Sequence, residues 1–81
     1  MRHEQEIRRI LQQAIGLPPE RTVGEREDLG LYGMDSLNYM QVVVLLEDAF
    51  GVLIPEDRIH MRFVRTLWAM DELIEEVMHH E

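Results

Sequence analysis

The stretch Asp35-Ser36-Leu37-Asn38-Tyr39-Met40-Gln41-Val42-Val43-Val44-Leu45-Leu46-Glu47-Asp48-Ala49-Phe50 lies between Gly33 and Gly51 and contains neither glycine nor proline. The run from Val42 to Leu46 alone would suit a strand. About 16 uninterrupted residues exceed the usual strand length, however, so the stretch reads as a helix. Asp35 or Ser36 is available as its N-cap, and Gly51 stands in the C′ position. At about 100° per residue, Tyr39, Val42, Val43, Leu46 and Phe50 share one face, which is assigned to the core. Leu37, Met40 and Val44 fall on the other side, beside Ser36. An apolar stripe that starts at a serine suggests a docking surface, and the flexible thioether of Met40 suits one.

The rest of the chain organises around this helix. Glu4 to Gly16 carries Ile7, Ile10, Leu11, Ala14 and Ile15 at the spacing of one buried helical face, and Gly16-Leu17-Pro18-Pro19 stops it. From Leu17 to Met34 there is no sustained period, and a connection this long is uncommon in a small domain unless it is functional. Val23, Leu29 and Leu31 are expected to pin it to the core. Beyond Gly51, Val52-Leu53-Ile54-Pro55 reads as an extended connector and Glu56 to Met61 as a short helix. Thr66 is the expected N-cap of a last helix, in which Leu67, Met70, Leu73, Ile74, Val77 and Met78 repeat at helical spacing up to the chain end. The predicted fold is all-α: a four-helix bundle with a long first loop and a short third helix, forming a single domain over residues 1–81.

Composition narrows the function. A chain of 81 residues has room for one domain, and its 46% hydrophobic and 30% charged residues are those of a folded globular protein. There is no cysteine, which excludes disulfides, thiolate metal sites and cysteine nucleophiles. Sixteen acidic residues against eight arginines, with no lysine, give a net charge of −8. Such a chain repels nucleic-acid phosphates and anionic lipid, and it lacks the lysine that Schiff-base and P-loop chemistry need. The polar segment Met1 to Glu6 leads into no long apolar run, so neither a secretory signal nor a bilayer span is expected, and the chain reads as soluble, cytoplasmic and monomeric.

Candidate chemistry centres on Gly33-Met34-Asp35-Ser36-Leu37. A serine at a loop-to-helix junction exposes its hydroxyl at the positive end of a helix, where unsatisfied N–H groups favour an attached anion such as a phosphodiester. The alternative is that Asp35-Ser36 only caps the helix. Other signals read as structural. His79 and His80 are adjacent and lack metal-pair spacing, while His3 and His60 are expected to be lone surface residues. Glu25, Glu27, Asp28, Glu47 and Asp48 read as a solvated face, and Trp68 as packing at a helix boundary. No metal site is expected. Arg58, Arg62 and Arg65 form a local basic cluster in an acidic chain.

Taken together, Asp28-Leu29, Gly33-Met34-Asp35-Ser36-Leu37, Leu46-Glu47-Asp48, Phe50-Gly51, Ile54-Pro55 and Thr66-Leu67 resemble the acyl carrier protein family, including its aminoacyl and peptidyl relatives. The resemblance spans nearly the whole chain. It implies that Ser36, flanked by Asp35 and Leu37, carries 4′-phosphopantetheine donated by coenzyme A through a phosphopantetheinyl transferase. The arm would hold acyl or aminoacyl groups as thioesters. The chain would then be a carrier rather than an enzyme, because no His or Lys beside Ser36 could act as a base. It would serve loading and chain-processing enzymes through Leu37, Met40, Gln41, Val44, Glu47, Arg58 and Arg62. Relatives serving primary fatty-acid synthesis usually carry several acids along the second helix. Here positions 38 to 46 carry no charge, and Asn38 and Gln41 stand where acids would be expected. A dedicated polyketide, peptide or modified-lipid pathway is the expectation drawn from that difference. The competing readings are a non-modified helical adaptor that uses the Leu37, Met40, Val44 stripe and a helix-turn-helix DNA binder, which the charge opposes.

Overall fold

The computed structural model describes residues 1–18 and 20–79. Three α-helices, α1 (Glu4–Ile15), α2 (Tyr39–Phe50) and α3 (Leu67–Met78), are joined by connections that hold three 3-10 turns, Leu29–Tyr32, Glu56–Arg58 and Met61–Phe63. Among the described residues there is no strand, and no helix is long and apolar enough to cross a membrane. The expected short third helix is thus two 3-10 turns rather than an α-helix. Pro55 starts the first in an extended conformation, and the extended backbone of His60 separates it from the second.

Each helix buries the face that its spacing indicates, except that Met78, the last residue of α3, is exposed because the helix end extends past the core. Ile7, Ile10 and Leu11 of α1, Val42, Val43 and Leu46 of α2, and Leu67, Met70, Leu73 and Ile74 of α3 form one core. Tyr39 and Phe50 pack against it from partly buried positions. Gly51, at φ 63°, ends α2 in the left-handed conformation that glycine adopts without a Cβ clash. Thr66 caps α3 by accepting the Ala69 N–H on its Oγ1 at 2.9 Å.

The long first connection is stitched to the core and to the start of α3. Leu17, Val23, Leu29 and Met34 are buried. Leu31, expected to join them, is 78% exposed, because the tight 3-10 turn that carries Leu29 inward rotates Leu31 out. The Arg65 carbonyl accepts the Leu29 N–H at 2.8 Å, and the Glu25 carbonyl accepts the Trp68 N–H at 2.8 Å, satisfying a donor in the first turn of α3. The Arg26 guanidinium lies 4.5 Å from the Trp68 ring centroid.

His3 and Asp71 correct the surface reading of the amino terminus. Asp71, buried on the inner face of α3, accepts the N–H groups of Arg2 at 3.1 Å and His3 at 2.8 Å on Oδ1. His3 is no lone surface residue: its Nε2 lies 2.6 Å from Glu75 Oε2, and its ring meets Phe50 edge-on with centroids 5.0 Å apart. Arg2 also pairs with Glu75, and His79 Nε2 lies 3.3 Å from Glu75 Oε1. His80 lies outside the described residues. α1 and α2 run antiparallel. His3 packs at the Phe50 end of α2, whereas a Cβ added to Gly33 would lie 3.9 Å from the Ile15 carbonyl at the other end of α1.

Candidate functional site

Ser36 lies in the turn that leads into α2. Gly33 closes the preceding 3-10 turn at φ 109°, a conformation strained for any residue with a Cβ, and sends its N–H back to the Leu29 carbonyl. The Met34 N–H goes to the same carbonyl at 3.1 Å while its side chain is buried, so the chain is anchored two residues before the serine. Regular α-helical hydrogen bonding then begins at Tyr39, later than the sequence suggests. The reason is the geometry of residues 36–38, which form a turn closed by Asp35. Asp35 Oδ1 accepts the N–H groups of Leu37 at 2.8 Å and Asn38 at 2.9 Å, and its carbonyl accepts the Tyr39 N–H at 3.2 Å.

Capping therefore belongs to Asp35. Among the described residues the Ser36 hydroxyl has no hydrogen-bond partner, and the residue is exposed. It is also the only serine in the sequence. Of the N–H groups expected to favour an attached phosphodiester, those of residues 37, 38 and 39 are all taken by Asp35. What the site offers an attached group is an unencumbered nucleophilic oxygen in open solvent on a fixed turn.

Around the serine the outer face of α2 is apolar and open. Met40 is 42% exposed and Val44 49%, as the helical angles require, Leu37 in the preceding turn is 88% exposed, and Gln41 is exposed beside them. Two other residues expected at a partner surface have internal partners. Glu47 is half-buried and its Oε2 accepts the Ile54 N–H at 2.9 Å, tying α2 to the connector that follows. Arg58 pairs with Glu76 at 2.9 Å and Asp57 at 3.5 Å. The basic cluster is divided in the same way, since Arg65 Nε lies 3.2 Å from Asp28 Oδ1. Arg62 is exposed, has no ion pair among the described residues, and sits 4.9 Å from the Phe63 ring centroid.

The acids of the first loop are not merely solvated. Glu27 accepts the Gly24 N–H at 2.6 Å and the Tyr32 hydroxyl at 2.9 Å, and these two bonds hold its carboxyl below the usual carboxylate range. The same bond raises the Tyr32 phenol. The Gly30 N–H, then the Arg65 guanidinium, likewise lower Asp28. These bonds fix the 3-10 turn that delivers Gly33. Sequence reasoning also missed Asn38, read there as an absent acid. Its amide bridges the turn, with Nδ2 donating to the Gly33 carbonyl at 2.7 Å and Oδ1 accepting the Asp35 N–H at 2.8 Å.

A small all-helical module that presents a free serine on a capped turn, beside an open apolar helix face, has the form of a protein built to be modified and handed between partners. Comparison with known proteins agrees. Residues 5–69 match the family model described as "Phosphopantetheine attachment site". The acyl carrier protein of Zymomonas mobilis subsp. mobilis is 34% identical over 53 residues, covering 65% of this chain and 68% of that protein. The chain belongs to the acyl carrier protein family. Its cofactor is covalently bound 4′-phosphopantetheine, and it is a carrier rather than an enzyme. A phosphopantetheinyl transferase and biosynthetic enzymes are its general partners.

Proposed function

We propose that Ser36 carries the 4′-phosphopantetheine and that the chain, acting as a single monomeric domain in the cytoplasm, serves a dedicated biosynthetic pathway. The observation that supports the attachment point is the division of labour at the turn. Asp35 takes the amides of residues 37–39, leaving the hydroxyl of the only serine exposed and without a partner. In the transfer, Ser36 Oγ bonds to the pantetheine-side phosphorus of coenzyme A. The pyrophosphate P–O bond breaks, adenosine 3′,5′-bisphosphate leaves, and the hydroxyl proton passes to a base of the transferase. Once attached, the arm supplies a terminal thiol that holds acyl or aminoacyl groups as thioesters. The protein's own residues hold Ser36 on its turn and offer the surface on which partner enzymes dock.

That surface is formed by Leu37, Met40, Gln41 and Val44, with Arg62, the member of the basic cluster that has no ion pair among the described residues. Glu47 and Arg58, already held by internal partners, enter it less freely. The lack of charge from residue 38 to 46 favours partners that meet α2 through apolar contact over those that read an acidic helix, which supports a polyketide, peptide or modified-lipid pathway. The match to the phosphopantetheine family disfavours a non-modified adaptor.

The test is intact mass before and after incubation with coenzyme A, magnesium and a broad-specificity phosphopantetheinyl transferase. The wild-type chain should gain one phosphopantetheinyl group and Ser36→Ala none. A mass gain in the variant, or none in the wild type, removes the proposal.

A further inference from the structure

We propose that Asn38 is a positioning residue for the modification of Ser36, an inference that rests on Ser36 being the attachment point. The hydrogen bonds of the Asn38 side chain go to Asp35 and Gly33 and not to the reacting oxygen. They close the turn that carries it. Its Oδ1 accepts the Asp35 N–H at 2.8 Å while its own N–H donates to Asp35 Oδ1 at 2.9 Å. Two residues flanking Ser36-Leu37 thereby hold one another reciprocally, as in a capping box. The third bond is the distinctive one. Asn38 Nδ2 donates to the Gly33 carbonyl at 2.7 Å, reaching back past the serine to the residue where the loop turns at φ 109°.

The chemistry of the partners fixes the orientation of this amide. A backbone N–H can only donate and a carbonyl can only accept, so a flipped side chain would set donor against donor and acceptor against acceptor. Only a side chain carrying one donor and one acceptor at this length satisfies both neighbours. An ionised aspartate keeps the acceptor but puts an oxygen against the Gly33 carbonyl oxygen and loses the donor. Asparagine at 38 is therefore a requirement of this turn rather than a neutral replacement for an acid. Without the bond to the Gly33 carbonyl, and with the Asp35 amide released, the segment between the anchored Met34 and α2 loses the ties that fix where Ser36 stands. A displacement of the reacting group by about 1 Å can cost on the order of 100-fold in rate.

Transferase kinetics with coenzyme A and magnesium on wild type, Asn38→Asp, Asn38→Ala and Ser36→Ala test this, with each variant assayed well below its melting temperature. Hydrogen exchange of the Asp35 amide is followed in parallel. Both Asn38 variants should lower kcat by about tenfold or more while KM for the carrier changes little, because docking and positioning are separate functions. The Asp35 amide should exchange faster in Asn38→Ala. Wild-type kcat in both variants would overturn the assignment. So would a rise in KM at unchanged kcat, which would make Asn38 part of the docking surface. Failure of the underlying reading looks different: Ser36→Ala itself would be modified.

Discussion

Around Ser36 the side-chain hydrogen bonds of residues 33–38 join positions no more than five apart, whereas at the Phe50 end those that Asp71 and Glu75 accept from Arg2 and His3 span 68 to 73 positions. Local bonds shape a turn without tying it to the rest of the chain. Long-range bonds close the bundle by fastening the start of α1 to α3. The serine end can therefore be docked, modified and released while the fold is kept by the core and by the far end. Substitutions at the serine end should alter modification with little change in stability, and substitutions in the core or at the Phe50 end should do the reverse.

The largest expected effect lies in the core. Leu46 is fully buried on the inner face of α2, and Leu46→Ala should cost about 2 to 5 kcal/mol, through lost burial and the cavity left behind. Denaturant or thermal unfolding measures this. The folded fraction should still be modified at the wild-type rate, and a slowed transfer in the fully folded variant would blur the separation between the two functions.

Next comes the long-range clasp. The hydrogen bond from His3, then Arg2, holds the Glu75 carboxyl below its ordinary range, and His79 also faces it, with Asp71 beside them on the His3 amide. A carboxylate lowered in the folded state stabilises above its unfolded pKa, about 4.3 for Glu, and loses that contribution as pH falls through the lower folded value. Glu75→Gln should thus melt below wild type at neutral pH, and the gap should close on acidification below about pH 4. A gap independent of pH would mean that the Glu75 carboxylate does not act through its charge.

Smaller stability changes are expected on the open face of α2. Leu37→Ser and Val44→Ser should shift stability by no more than about 0.5 kcal/mol, as surface substitutions do, while raising KM in transferase or loading kinetics. A large melting drop with normal kinetics would give these residues to the fold instead. The smallest effect belongs to Arg62. Arg62→Glu should slow a partner reaction at low salt and less at high salt, since exposed charges are screened beyond about 10 Å at 0.1 M. Equal turnover at every salt concentration would assign Arg62 to its contact with Phe63.

The two ends also differ in how far sequence discloses them. α1 and α3, and the faces of all three helices, are legible because their periods and their boundary residues, the stops Gly16 and Gly51 and the N-cap Thr66, are local signals. The cap at Asp35 is legible for the same reason. The entry into α2 is less so, because a helical pattern does not distinguish a capped turn over 36–38 from a first helical turn. The clasp is hidden by distance along the chain, although Asp71 gave one sign of it: an acid four residues after Leu67 and three before Ile74 falls on the buried face, where it needs a partner. Asn38 was obscured by comparison with relatives, which draws attention to the charge it lacks rather than to the donor it has.

The central claim, that Ser36 bears the arm, is tested most directly by locating the modification. With no lysine in the chain, trypsin cuts only after arginine, and the segment from Glu27 to Arg58 contains the only serine and no threonine. After loading with coenzyme A and transferase, fragmentation of that peptide should place the whole phosphopantetheinyl mass on Ser36, leaving the peptides with Thr22 and Thr66 unmodified. Mass found on either threonine, or on Tyr32 or Tyr39, would contradict the account.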